Sequence, residues 1–192
     1  MPDALPREFF DRNAVKVAPA LIGCVLTRRV GKEVLRGRIV EAEAYVGEHD
    51  LACHARAGKT PRTAPMFEAP GHAYVYLIYG IHQMLNCVCG PGEAANAVLL
   101  RAAEPLPESA PWLHKNAIGP GNLCKAFGIA PRHNRADLCD AGGELFLAPR
   151  VGRKRPRLLR GPRVGVDYAG VWAAEPLRFC DADSACLSKP RP

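Results

Sequence analysis

The sequence predicts an α+β fold: a single mixed domain with a curved, mainly antiparallel sheet and short surrounding helices. Three observations carry that expectation. Short runs such as "HAYVYLIYG", "LNCVCG" and "NAVLLRAAE" have the composition and alternation of strands bounded by turns. There are 18 glycines and 18 prolines among 192 residues, which breaks the chain into many short elements. A regular strand–helix repeat of the kind that builds a parallel sheet is not present.

The elements follow in order. "NAVKVAPALIG" predicts a short helix capped by Asn13 and stopped by Gly23. "CVLTRRV" and "VLRGRIVEAEAYV" flank "GKE" and read as a hairpin. The polar stretch from Gly47 to Pro70 is punctuated by Gly and Pro, and an ordered loop of that length in a compact domain usually carries function. The three strands quoted above come next. "GNLCKAFGI" predicts a helix opened by Pro120-Gly121 and closed by Gly128, and "ELFLA" and "RVGVDY" are expected to close the sheet. No repeat or linker marks a second domain, so residues 1–192 form one unit, with 181–192 expected to fray.

Composition limits the partners. Hydrophobic residues make up 48% and charged residues 23%, a soluble balance, and no apolar run approaches the ~18 residues of a membrane span. "MPDALPREFFDRNAV" lacks a signal-peptide core, so an intracellular protein is expected. The net charge of +7 is compatible with a polyanionic partner. "RVGRKRPRLLRGPR", from Arg150 to Arg163, concentrates it, either as a solvated loop or as a strip that touches phosphates. Eight scattered cysteines without a CxxC pair fit small buried hydrophobes in a reducing compartment, not a disulfide scaffold or zinc ribbon.

Three constellations carry chemistry. With period two, Glu41, Glu43 and Tyr45 share a strand face opposite Val40, Ala42, Ala44 and Val46. Paired carboxylates serve glycoside hydrolysis, but two on one strand are too crowded to flank one bond, so one is expected to be catalytic and the other structural. Tyr74, Tyr76 and Tyr79 offer a stacking surface and an exposed aromatic at a turn, against the plainer reading of a Tyr-rich core strand. "HDLACH" brings His49, Asp50, Cys53 and His54 together, but the spacing fits neither a zinc finger nor the H-E-x-x-H helix.

Taken in order, "RIVEAEAYVGEHDLACHARAGKTPRTAPMF", "GHAYVYLIYGIHQMLN", "AVLLRAAEP", "GPGNLCKAFGI" and "RVGVDYAGVWAAEPLRF" closely resemble the 3-methyladenine (alkyladenine-type) DNA glycosylase family over residues 7 to 180. The resemblance implies that family's mixed α/β fold. It implies a monofunctional enzyme that flips a damaged purine from duplex DNA and cuts its N-glycosidic bond, leaving an abasic site without cutting the strand. Glu43 matches the base that activates water, Arg101 and the backbone carbonyl of Val164 match the groups holding that water, and Glu41 becomes the structural partner. Arg101 is expected to keep Glu43 ionised. Tyr45, His54, Tyr76 and Asn86 match the base pocket, whose aromatic walls would favour a cationic base. Tyr79 matches the wedge that fills the gap left by flipping, with Ile81 and His82 beside it on the DNA.

No metal or other cofactor is implied. The implied partner is double-stranded DNA containing damaged purines, with no membrane, and one pocket and one wedge need only a monomer. The compartment would be the nucleoid-associated cytoplasm in a bacterium and the nucleus in a eukaryote. Two alternatives compete: a damage-binding protein without catalysis, which leaves Glu43 unexplained, and a metal-dependent hydrolase using His49, Cys53 and His54, which leaves the tyrosines unexplained.

Overall fold

The computed structural model describes residues 3–109, 116–152 and 155–191. After a short helix α1 (Arg7–Phe10), α2 (Ala14–Leu21) starts where the Asn13 side chain accepts the Val15 N–H at 2.9 Å, as the sequence predicts. It ends just before Gly23, whose φ is +90°. Strands β1 (Val25–Val30) and β2 (Glu33–Val46) form the predicted hairpin. Strands β3 (Ala73–Ile78), β4 (His82–Cys89) and β5 (Asn96–Pro105) follow, then α3 (Pro120–Ala126), β6 (Leu145–Ala148), β7 (Leu158–Gly161) and β8 (Arg178–Asp181). The loop from Gly47 to Pro70 is ordered and carries two short 3-10 turns, His54–Ala57 and Ala64–Phe67.

All the strands belong to one sheet, and every strand pairing is antiparallel. The order β3-β4-β5-β2-β1-β6 forms the main path. The long β2 divides one of its edges, giving its first half to β1 and Glu41–Glu43 to β8. A strand with different neighbours along its length bends, and the sheet curls around its core. That core lies between α2, α3 and one face of the sheet, and gathers Phe10, Leu21, Ile39, Leu100, Phe127 and Phe179. Gly37 makes this closure possible, because a Cβ there would stand 2.7 Å from the Phe127 ring. Among the described residues, no helix is long and apolar enough to cross a membrane.

Three sequence expectations need correction. "RVGVDY" is not a strand: Val164 and Gly165 form a turn leading into a 3-10 segment, Asp167–Ala173, and the closing strands are β7 and β8. The tail does not fray, since Ser184, Leu187 and Ser188 are buried against β2, β5 and β8; Pro192 lies outside the described residues. Strict alternation also fails in β2. Ile39, Ala42 and Ala44 join the main core, whereas Val40 packs on the other side with Ala102, Cys180 and Leu187.

The cause is a pair of irregularities in the β2–β5 ladder. Ile39 pairs Ala103, Glu41 pairs Ala102 and Ala42 pairs Leu100, so Val40 is extra on β2 and Arg101 is extra on β5. An extra residue bends its strand and re-aims the side chains around it. Here it brings Arg101 to the face that carries Glu41 and Glu43.

Candidate active site

The face of the sheet under the 47–70 loop holds a second apolar cluster that includes Cys53, Met66, Tyr74 and Ala97. Tyr45 and Tyr76 pack at its edge, and the outward alternation of β3 places Tyr74 and Tyr76 there together. Between this cluster and the Val164–Tyr168 segment lies a cavity of about 270 Å³. Its lining includes Tyr45, His54, Tyr76, Asn86, Arg101 and Val164. The structure thus brings these sequence-predicted residues to one cavity, from six separate stretches of chain.

Its floor is ionic. Glu41 and Glu43 are both fully buried. Glu41 Oε1 accepts from Arg101 Nε at 2.7 Å, Arg178 Nε at 2.8 Å and Ser188 Oγ at 2.7 Å, and Oε2 accepts the Ser188 N–H at 2.7 Å. Burial works against the Glu41 charge, but Arg101, Ser188 and Arg178 overcome it and hold the carboxyl below the usual range. Glu43 has lighter support: the Val164 N–H at 2.8 Å, the Tyr45 hydroxyl at 3.0 Å and the Arg101 guanidinium at 3.2 Å. Burial outweighs these donors, Glu41 adds its repulsion, and the Glu43 pKa is raised. Arg101 pulls the Glu43 pKa down, as the sequence led us to expect, but burial outweighs it and the net shift is upward. Its closest contact goes to Glu41.

The walls are aromatic and tightly placed. His54 Nδ1 lies 3.0 Å from the Tyr74 hydroxyl, and the His54 ring meets Tyr76 edge-on with 4.5 Å between centroids. Burial, with help from Arg62, lowers the His54 pKa to about 4, so this imidazole is neutral at physiological pH. Asn86 is buried and donates from Nδ2 to the Tyr74 carbonyl at 3.1 Å. Arg62 stacks on Tyr76 with its Cζ 5.4 Å from the ring centroid, and Arg163 stacks on Tyr45 at 4.7 Å. Neither arginine is among the residues that line the cavity.

Tyr79 stands at the rim. It is 86% exposed, at the tip of the β3–β4 hairpin, with Ile81 73% exposed beside it. Tyr79 has φ +52° and Gly80 +72°, and the Ile81 N–H closes the turn on the Ile78 carbonyl at 3.2 Å. A left-handed tyrosine costs ~1–2 kcal/mol, and such strain concentrates where a side chain must be displayed. His82 is exposed but turns back to α3, where a Cβ on Gly121 would lie 3.1 Å from its ring.

"HDLACH" does not form one cluster. Asp50 makes a two-pronged ion pair with Arg163 at 2.5 and 2.9 Å, both side chains fully buried, and caps the backbone of Val46 and Ala52. His49 packs edge-on against Trp172. Among the described residues, no group of three or more His, Cys, Asp or Glu side chains is gathered as a metal site. Sequence reading missed Arg163, Arg178 and Ser188. Arg163 sat inside a basic run that reads as surface, and only the arrangement in space reveals it as a buried support. Within that run, Leu158–Gly161 is β7, while Arg153 and Lys154 lie outside the described residues.

Relatives are similar over nearly the whole chain. A protein of Myxococcus xanthus named "Putative 3-methyladenine DNA glycosylase" is 50% identical over 98% of this chain and 95% of its own length. Proteins of the same name from Methanocella arvoryzae and Anaeromyxobacter dehalogenans (strain 2CP-C) are 46% and 49% identical over 98% of this chain, and over 97% and 88% of their own lengths. The profile of the methylpurine-DNA glycosylase (MPG) family matches residues 8–185. With that match and those identities, this chain belongs to the methylpurine-DNA glycosylase family.

Proposed function

We propose that this DNA glycosylase hydrolyses the N-glycosyl bond of a damaged purine flipped out of duplex DNA, using a water activated by Glu43. The observation that carries the reading is the buried Glu43 carboxylate held directly by three residues that line the aromatic cavity, Tyr45, Val164 and Arg101. Tyr45 on one side and Tyr76 with His54 on the other form walls for a planar base. Tyr79, displayed at the rim, fills the gap in the duplex, and Ile81 continues that face along the DNA, with exposed His82 beside it at the base of the hairpin.

When the base departs, C1′ of the sugar becomes cationic. A carboxylate beside it stabilises that charge and takes the proton of the attacking water. Arg101 and the Val164 carbonyl would hold the water, while the Val164 N–H keeps the carboxylate in place. Glu41 does not titrate with Glu43 in this scheme; it fixes Arg101. Two carboxylates pushed apart in pKa take two roles. Asn86 stands where a purine amine would meet a wall, which disfavours undamaged guanine. Water is the only nucleophile required, so the product is an uncut abasic strand, and one chain suffices.

The test is release of free base from a duplex carrying a single hypoxanthine or methylated purine, with an undamaged duplex as control. Base release with an intact strand supports the reading. Strand cleavage, or loss of activity to chelator and rescue by zinc, would contradict it. Lesion binding with no release would favour the damage-binding alternative.

A further inference from the structure

Both principal walls of the base pocket have a guanidinium stacked on the ring and outside the cavity lining, and the two arginines are not equivalent. Arg163, behind Tyr45, is fully neutralised by the two-pronged pair with Asp50. Arg62, behind Tyr76, has no carboxylate within ion-pair distance among the described residues. It stacks on Tyr76, acts also on neighbouring Tyr74 and His54, and is exposed in the 47–70 loop.

Charges around the cavity can be matched group by group. Arg163 cancels Asp50. Glu41 and Glu43 face Arg101 and Arg178 in equal number. Arg62 is the charge left over. A ring's two faces share one quadrupole, so a cation held on one face weakens the attraction of the other for a second cation. A cationic base stacked on Tyr76 would also feel direct repulsion from Arg62 through the ring. A neutral base suffers neither effect.

We propose that Arg62 is a specificity-determining residue, acting through Tyr76, that biases this pocket toward neutral damaged purines and against cationic alkylated ones. It rests on the base-pocket reading above and reverses the simple expectation that aromatic walls favour a charged base. The low pKa of His54 fits the same picture, because Arg62 and burial together keep a further wall neutral rather than charged.

The experiment compares single-turnover base release, at saturating enzyme, from duplexes containing hypoxanthine, which is neutral, and 7-methylguanine, which is cationic while attached to its sugar. Saturation removes any contribution of Arg62 to DNA affinity, and the ratio of the two rates removes a general structural loss. Arg62→Gln should shift that ratio toward 7-methylguanine by on the order of three- to ten-fold, the range expected for one screened charge and a weakened cation–π contact. Arg62→Lys, which keeps the charge, should stay near the wild-type ratio. Release of both bases with an unchanged ratio in Arg62→Gln, or a shift toward hypoxanthine, overturns the specificity role and leaves the glycosylase reading standing. Failure of the wild type to release either base overturns both.

Discussion

Glu41 and Glu43 lie two residues apart on β2 and share Arg101, yet their carboxyl groups are pushed to opposite sides of the usual range. Glu41 answers burial with two arginines and two hydrogen bonds from Ser188. Glu43 answers it with one longer ion pair, a backbone N–H and a tyrosine hydroxyl. The two residues should respond in opposite ways to the same substitution.

Glu41→Gln removes the counter-charge of two buried arginines. Breaking a buried pair of this kind costs ~3–5 kcal/mol, so a large fall in the denaturation midpoint is expected. A change below ~1 kcal/mol would show that Glu41 is not the brace assigned here. Glu43→Gln should leave stability at neutral pH unchanged or higher. Its folded pKa is raised, so its contribution favours the fold below the ordinary glutamate value and is lost as pH rises through the folded value. Above that window the buried anion is a burden that the amide removes.

The pH profile of base release follows from the same shift. A general base must be deprotonated, so single-turnover rates should fall as pH drops through the Glu43 value, which lies above the ordinary ~4.3. An acid limb at or below that value would contradict the assignment. Acid unfolding has the other sign. The Glu41 pKa is lowered, so its stabilising contribution is complete above ~4.3 and lost as pH falls through the folded value.

Asp50→Asn tests the support behind Tyr45. It leaves Arg163 charged and buried without its partner, and a cost of ~3–5 kcal/mol is expected. Because Arg163 also stacks on Tyr45 and donates to the Ala44 carbonyl at 3.0 Å, base release should fall alongside stability. Full activity in a destabilised variant would separate the pair from the pocket.

Tyr79→Gly separates display from folding. Glycine accepts the +52° backbone without a Cβ penalty, so thermal stability should change by no more than ~1 kcal/mol. Release from duplex DNA should fall at least ten-fold, since unstacking a base costs a few kcal/mol that the wedge offsets. Release from a single-stranded lesion should change far less. Equal losses on both substrates would count against a wedge.

Much of this was legible in the sequence, for identifiable reasons. Short apolar runs bounded by turn residues marked β1 through β6, although several are buried on both faces, and Asn13 announced α2 through its own cap. The pocket residues were legible by family resemblance, and the Glu41–Glu43–Tyr45 face by period two alone. Periodicity missed the bulges at Val40 and Arg101, since one extra residue leaves no compositional trace yet decides which way Arg101 points. It missed β7 and β8, each four residues long, and the polar tail whose Ser188 closes over Glu41. A serine and two arginines in polar company read as surface until the fold buries them.

The most direct test of the central claim is base release from a hypoxanthine duplex by wild type and by Glu43→Gln, under single-turnover conditions with DNA binding measured in parallel. Wild type should free the base and leave an uncut abasic strand, while Glu43→Gln binds the lesion and releases almost none. Equal rates in the two proteins would take Glu43 out of the chemistry.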